Sequence, residues 1–168
     1  VTAAGDGAIT LANADNNAAY LSLRSLDTAG TASGTANLSY NDRDAVAVRR
    51  IETTGNATLT AGGAMTTDTV TGPGTITATA LSAKTLNDGA ADIALTAGND
   101  VSSVTLKVRN AADTADVGVA GSTGNIDFTD TNGCTITGIE SGGNAELTAG
   151  GAVAQTGSIL VSGLGLSG

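Results

Sequence analysis

The chain has 168 residues and a net charge of −9, from 16 acidic and 7 basic side chains, with no His, one Cys, one Pro and no Trp. That balance argues against nucleic acid, whose binders carry basic patches, and against an anionic membrane surface. No stretch approaches the ~18 apolar residues needed to span a bilayer, so membrane insertion is not expected. With no His, zinc sites built on His and Cys and His-based triads are excluded as well.

Read in chain order, the apolar residues fall in short alternating strings. "ITL" at Ile9–Leu11 opens the series. "NLSYND" (Asn37–Asp42) follows, and "ATLTA" then sets Ala57, Leu59 and Ala61 against Thr58 and Thr60. "TITATAL" places Ile76, Ala78 and Ala80 opposite Thr75, Thr77 and Thr79. "VTLKV" separates Val104, Leu106 and Val108 from Thr105 and Lys107, and "NIDFTD" separates Ile126 and Phe128 from Asp127. Period two over Thr, Val and Ile predicts strands. Between the strings stand "AGG", "GPG", "NDG", "GND", "TNG" and "SGGN", which are turn signals. No helical stripe of useful length appears, so the chain is expected to be all-β.

The strings recur. "GNATLTAGGA" (Gly55–Ala64) returns as "GNAELTAGGA" (Gly143–Ala152), at an offset of 88 and differing only at Thr58 and Glu146. At the same offset Leu38 aligns with Ile126, Tyr40 with Phe128, Asp42 with Asp130, Ile51 with Ile139 and Glu52 with Glu140. Upstream, Ile9–Leu11 matches Ile93–Leu95 at an offset of 84, which a four-residue insertion reconciles. The expectation is a single continuous solenoid over 1–168, made of two divergent repeats at approximately 1–84 and 85–168.

Tandem β-sandwich repeats are the alternative architecture. A sandwich must fill a core about 10 Å thick, which usually calls for large side chains. A parallel β-solenoid has a narrow interior that Val, Ile, Leu and Ala can fill, with Gly and Asn at the corners, and is preferred. With roughly 20 residues per coil, the chain would make roughly eight coils, each rising about 4.7–4.8 Å.

"GNATLTAGGAM", "GNAELTAGGAVAQTGSILVSG" and "DIALTAGNDVSSVTLKV" resemble the repeats of filamentous-haemagglutinin-like proteins. These are very large secreted or surface-exposed bacterial adhesins with right-handed parallel β-helix shafts. The resemblance covers nearly the whole chain and implies an extracellular or cell-surface shaft, not the family's secretion domain, whose Asn-Pro motifs are missing. It transfers no catalytic residue.

The residues themselves offer little chemistry. Asp42, Asp44, Arg43, Arg49 and Arg50 form the densest charged cluster, read as a loop salt-bridge network; the second copy has Asp130 and Asn132 there and no arginines. The other acidic residues read as a solvated surface. No catalytic, cofactor-binding or metal-ligating residue is assigned, and no enzyme activity is expected. A polysaccharide-active β-helix enzyme stays as a remote alternative. Adventitious calcium at Asp- and Asn-rich corners is the one ion the composition leaves open: "GDGAIT" (Gly5–Thr10) is only a fragment of a β-roll calcium motif, and "DTNG" (Asp130–Gly133) falls short of an EF-hand loop. An ice-binding face would need Thr-x-Thr pairs at the constant spacing of one coil. The pairs starting at Thr58, Thr67, Thr75, Thr129 and Thr135 stand at unequal intervals, so that function is set aside. "NLS" at Asn37 and "NAT" at Asn56 fit the glycosylation pattern. Cys134 is expected to be a small buried side chain.

Val1 follows no charged-then-apolar leader, so the sequence reads as a mature product or an excised piece. The expected function is a structural segment of an extracellular fibre or adhesin shaft. Its partners would be further repeats of the same chain or a second copy docked head to tail, since neither "VTAAGDGAITL" nor "GSILVSGLGLSG" looks like a cap. A glycan- or protein-binding module at a cell surface is the second reading, with Tyr20 and Tyr40 as its aromatic candidates.

Overall fold

The alternating strings form fifteen β-strands among the described residues of the computed structural model, which are 1–31, 33–114 and 123–168; no helix occurs among them. Every ladder between named strands is parallel. One isolated bridge, Leu26 to Ser33, is antiparallel. Parallel neighbours need a crossover between them, and here each crossover is the rest of one coil. An antiparallel sandwich is thereby ruled out. The chain is a parallel β-solenoid of about seven turns, close to the eight expected.

Two columns of strands run the length of the solenoid. The first contains β2 (Ile9–Leu11), β4 (Leu38–Asp42), β6 (Asn56–Ala61), the later part of β8 (Thr75–Leu86), the end of β9 (Ile93–Arg109), β11 (Thr135–Glu140) and then β13 (Ala154–Gln155) and β14 (Ile159–Leu160). The second contains the starts of β3 (Tyr20–Ser25) and β5 (Val46–Glu52), then β7 (Met65–Thr67), the start of β9, β10 (Ile126–Asp130), β12 (Asn144–Ala149) and β15 (Gly163–Ser167). A shorter third column joins β1 (Thr2–Ala3) to the ends of β3 and β5, the start of β8 and the middle of β9.

Stacking in register puts each inward side chain on its counterpart one coil below. Leu38, Ala57, Leu81 and Val104 form one such file, and Tyr40, Leu59, Ala83 and Leu106 another; all are buried. In the second column Phe128 lies between Leu95 and Leu147. Bulky and smaller residues are mixed along a file, so a ring meets a modest neighbour in the narrow interior. The aligned pair Tyr40 and Phe128 occupies equivalent core positions, at 5% and 1% exposure.

Coil length varies although the strands of the first two columns stay in register. The step from Leu38 to Ala57 is short, that from Leu81 to Val104 is longer, and those from Ile9 to Leu38 and from Val104 to Ile136 are longer again. The surplus is carried in the corners, which is why fewer coils are made than a short uniform repeat would give. The duplicated copies also occupy different columns: Leu38 stands in the first and its match Ile126 in the second. The offset of 88 thus equals three coils, through Ala57, Leu81 and Val104, plus one further side, and not the four whole coils that the shorter expected repeat would make.

The paired glycines of the repeated decapeptide have a steric cause. A Cβ on Gly62 would lie 2.0 Å from the carbonyl oxygen of Arg43, and one on Gly150 2.1 Å from that of Thr131, in each case the coil beneath. Gly62 and Gly150 donate their N–H groups to the carbonyls of Asp42 and Asp130, both at 3.0 Å, so neither backbone can back away without losing a bond.

Two outcomes follow for stability, both read by urea denaturation. Phe128→Ala should cost about 3–5 kcal/mol, from lost burial plus the cavity left behind. Gly62→Ala should cost about 1–3 kcal/mol through forced backbone displacement, whereas Gly165→Ala, whose Cβ would meet Glu146 Cγ at an ordinary 3.5 Å, should be near neutral.

Candidate functional site

A coil that leaves one strand and enters the next strands its corner N–H and C=O groups, and burying them unpaired is costly. The polar residues singled out by the repeat answer this need. Asp42 is 2% exposed, and its Oδ2 accepts the Ala18 N–H at 2.8 Å and the Tyr40 hydroxyl, while Oδ1 accepts the Asp44 N–H at 2.9 Å. Asp130 repeats the arrangement, accepting the N–H groups of Val101 and Asn132, each at 3.0 Å. A buried or half-buried Asn lies beside each. Asn16 donates through Nδ2 to the carbonyls of Leu11 and Asn41, at 3.1 and 3.0 Å. Asn99 donates to those of Leu95 and Thr129, both at 2.8 Å. The Asn99 Oδ1 also accepts the Ile76 N–H.

The next corner is duplicated too. Thr53 Oγ1 donates to the Ala36 carbonyl and accepts the Gly55 N–H; Ser141 Oγ donates to the Gly124 carbonyl and accepts the Gly143 N–H. One residue further on, Asn37 Oδ1 accepts the Asn56 N–H at 2.9 Å, and Asn125 Oδ1 the Asn144 N–H at 3.0 Å. These bonds explain why "GN" precedes both copies of the strand. They also place the two glycosylation-type asparagines, Asn37 and Asn56, one above the other on an exposed edge.

The charged cluster around Asp42 does not converge. Asp42 is a corner acceptor and contacts no arginine through the bonds above. Arg43 pairs with Asp44 at 3.2 Å in an exposed contact, Arg49 reaches Asp68 at 2.8 Å, and Arg50 and Arg24 both hold Glu52, at 2.8 and 2.6 Å. The expected loop network is therefore three separate contacts. Its one conspicuous echo in the second copy is Glu140, held by Lys107 at 3.2 Å and Arg109 at 2.6 Å where Glu52 is held by Arg50 and Arg24. Nor are the acidic residues simply a solvated surface. Asp6, Asp27, Asp68, Asp88 and Asp92 each accept a backbone N–H, as Asp42 and Asp130 do.

Among the described residues, no group of three or more His, Cys, Asp or Glu is placed to hold a metal ion. Cys134 is buried, and burial with the nearby Asp130 charge pushes its thiol pKa up. The hydroxyl ranks need a correction. Unequal coils still bring Thr10, Ser39, Thr58, Ser82 and Thr105 into one outward file, so uneven sequence spacing does not prevent alignment. The file beside it reads Asn41, Thr60, Lys84, Lys107, however, so a two-rank threonine face is not formed. Tyr20 is half exposed with the Arg49 guanidinium 3.6 Å from its ring centre. Tyr20 and Tyr40 share one hollow of about 460 Å³ at the foot of the first coil, where Leu11 and Leu21 also face.

The arrangement defines a repeat protein whose buried polar groups are spent on building corners. The chain belongs to the family of repeats of unknown function (DUF5649), which it matches over residues 35–107 and 123–165. Comparison with curated proteins and with solved structures found no match.

Glu52 generates a pH dependence. Burial opposes its ionisation, but hydrogen bonds from Arg24 and Ser33 and the charges of Arg50 and Arg24 hold its pKa below the usual value. Asp68 is depressed by the Thr71 hydroxyl and Arg49; Asp113, against the opposing effect of burial, is depressed by Lys84 and Arg109. A carboxylate with a lower pKa folded than unfolded stabilises fully above its unfolded value, about 4, and that stabilisation is lost as pH falls through the folded value. Stability measured by urea should fall between pH 5 and pH 3, and Glu52→Gln should flatten that fall. Separately, Asp42→Ala should cost about 1–3 kcal/mol at pH 7, because two N–H groups and the Tyr40 hydroxyl lose their acceptor.

Proposed function

We propose that this chain is a non-catalytic shaft segment of an extracellular fibre or bacterial adhesin, joined end to end with further β-solenoid. The observation that carries the reading is the unbroken stack. Apolar files run through the coils while Asp42, Asp130, Asn99, Thr53 and Ser141 are all consumed by backbone bonds at the corners. Such side chains have little left to offer a substrate, and the role calls for no cofactor. Resemblance of the "GNATLTAGGAM" type of repeat to filamentous-haemagglutinin-like shafts supports a secreted location.

One observation favours a second reading, a module that binds glycan or host protein. Tyr20 presents a half-exposed ring beside the hollow that also holds Asn16 and Asn17. In that case Tyr20→Ala should abolish binding on a glycan array while costing only about 0.5–1 kcal/mol of stability, from the lost Arg49 contact; an array that stays blank for the unaltered chain removes this reading. Shaft and enzyme readings separate in an assay against acidic polysaccharides, where no cleavage is expected.

The location is tested on cells that make the protein. Protease or antibody added outside intact cells should reach this segment. Protection until the cells are lysed would overturn the extracellular assignment.

A further inference from the structure

Sequence and stacking together place one chemically labile link in the solenoid. Asn132-Gly133 is the sole Asn-Gly pair of the chain, and it lies in the corner between β10 and β11. The side-chain carboxamide of an asparagine can be attacked by the backbone nitrogen of the residue that follows it, and glycine, with no Cβ, shields that nitrogen least. Here the glycine is imposed by the fold. A Cβ at position 133 would lie 2.1 Å from the carbonyl oxygen of Ala152 in the coil above. The first copy lacks such a pair and has Asp44-Ala45 there, although the corner is otherwise alike. Asp42 accepts the Asp44 N–H as Asp130 accepts that of Asn132.

The reacting groups are accessible. Asn132 is exposed and Gly133 half-buried. The Gly133 N–H donates no hydrogen bond among the described residues. At Asp88-Gly89, by contrast, the corresponding N–H is held by Asn87 Oδ1 at 2.7 Å. The Asn132 Nδ2 donates to Asp100 Oδ1 in the coil below, at 3.1 Å. Asp100 takes part in none of the ion pairs among the described residues, so this amide is the donor that meets its charge.

We propose that Asn132 is a self-modifying site, converted to aspartate and isoaspartate without an enzyme, and that the conversion loosens its corner. The Gly133 nitrogen gives up its proton and bonds to Asn132 Cγ; the Cγ–Nδ2 bond breaks, and ammonia leaves with that proton. A five-membered imide results, favoured because the attack is intramolecular. Water then opens the ring. Cleavage between the nitrogen and Cγ leaves an aspartate at position 132. Cleavage between the nitrogen and the Asn132 backbone carbonyl carbon leaves isoaspartate, whose main chain runs through Cβ and Cγ. One water is consumed and one ammonia released.

Both products disturb the stack. Aspartate sets a second carboxylate against Asp100 in place of the donor, and like charges at hydrogen-bond distance repel. Isoaspartate adds a main-chain methylene next to Gly133, where the Ala152 carbonyl leaves no room for a methyl group. This site does not depend on the shaft reading.

The test incubates the full folded chain at mildly alkaline pH and follows it by peptide mapping. Asn132 should gain one mass unit several-fold faster than any other asparagine, with isoaspartate among the products. Asn132→Gln should suppress the gain there, because its longer side chain does not form the five-membered ring. No gain at Asn132 in the folded chain, or a gain spread evenly over the asparagines, overturns the proposal. The consequence is read by urea denaturation at neutral pH. Asn132→Asp should lower the midpoint, and adding Asp100→Asn should restore it by making the pair amide and carboxylate again. An Asn132→Asp chain as stable as the unaltered one, or one that Asp100→Asn does not rescue, overturns the loosening.

Discussion

In-register parallel stacking is the constraint on which everything else depends. Because each strand takes its hydrogen bonds from the coil below and returns them to the coil above, every coil must bring its strands to the same places. A residue that faces inward in one coil therefore sets the volume left for the next. Tyr40 and Phe128, the largest inward groups, are tolerated because Leu59 and Leu147 above them are smaller. The short step from Leu38 to Ala57 and the long one from Val104 to Ile136 coexist because only the path between strands changes.

The corners inherit the cost. Where the chain turns from one column to the next its amides leave the ladder, and water cannot reach all of them. Short side chains with strong acceptors, Asp and Asn above all, meet these amides at 2.7–3.0 Å. The acidic composition is in part a consequence of this geometry: a carboxylate accepts from two amides at once and offers no donor of its own to be satisfied. Close passage of one corner over another accounts for the glycines at 62 and 150, where the carbonyl beneath leaves no room for a methyl group.

Much of this is legible in the sequence. Alternation over Val, Ile, Leu and Thr locates the strands, and the shortage of aromatic residues distinguishes a narrow interior from a sandwich. Alignment of Tyr40 with Phe128 marks a core position, and alignment of Asp42 with Asp130 marks a corner. The role of that corner is not legible, because Asp42 stands among arginines in the sequence and among amides in space. Its neighbour Asn16 and the equivalent Asn99 lie far apart along the chain, in stretches whose other residues have diverged. Only the bonds to Leu11, Asn41, Leu95 and Thr129 reveal them as equivalent. The expected coil number is slightly too high because it assumes one short coil length throughout, and the sequence does not show how much chain a corner stores.

The duplication itself shows why one edge can accept another. The second copy does not repeat the first on the same columns; Ile126 follows Ile93 and Met65 in the second column although its counterpart Leu38 belongs to the first. A strand of this family thus pairs correctly on either side of the solenoid, provided its small apolar residues face inward and its amides are in phase. The recognition lies in the backbone and in the alternation, and the side chains need only avoid excess volume. Those conditions are met between coils within a copy and across the junction between copies.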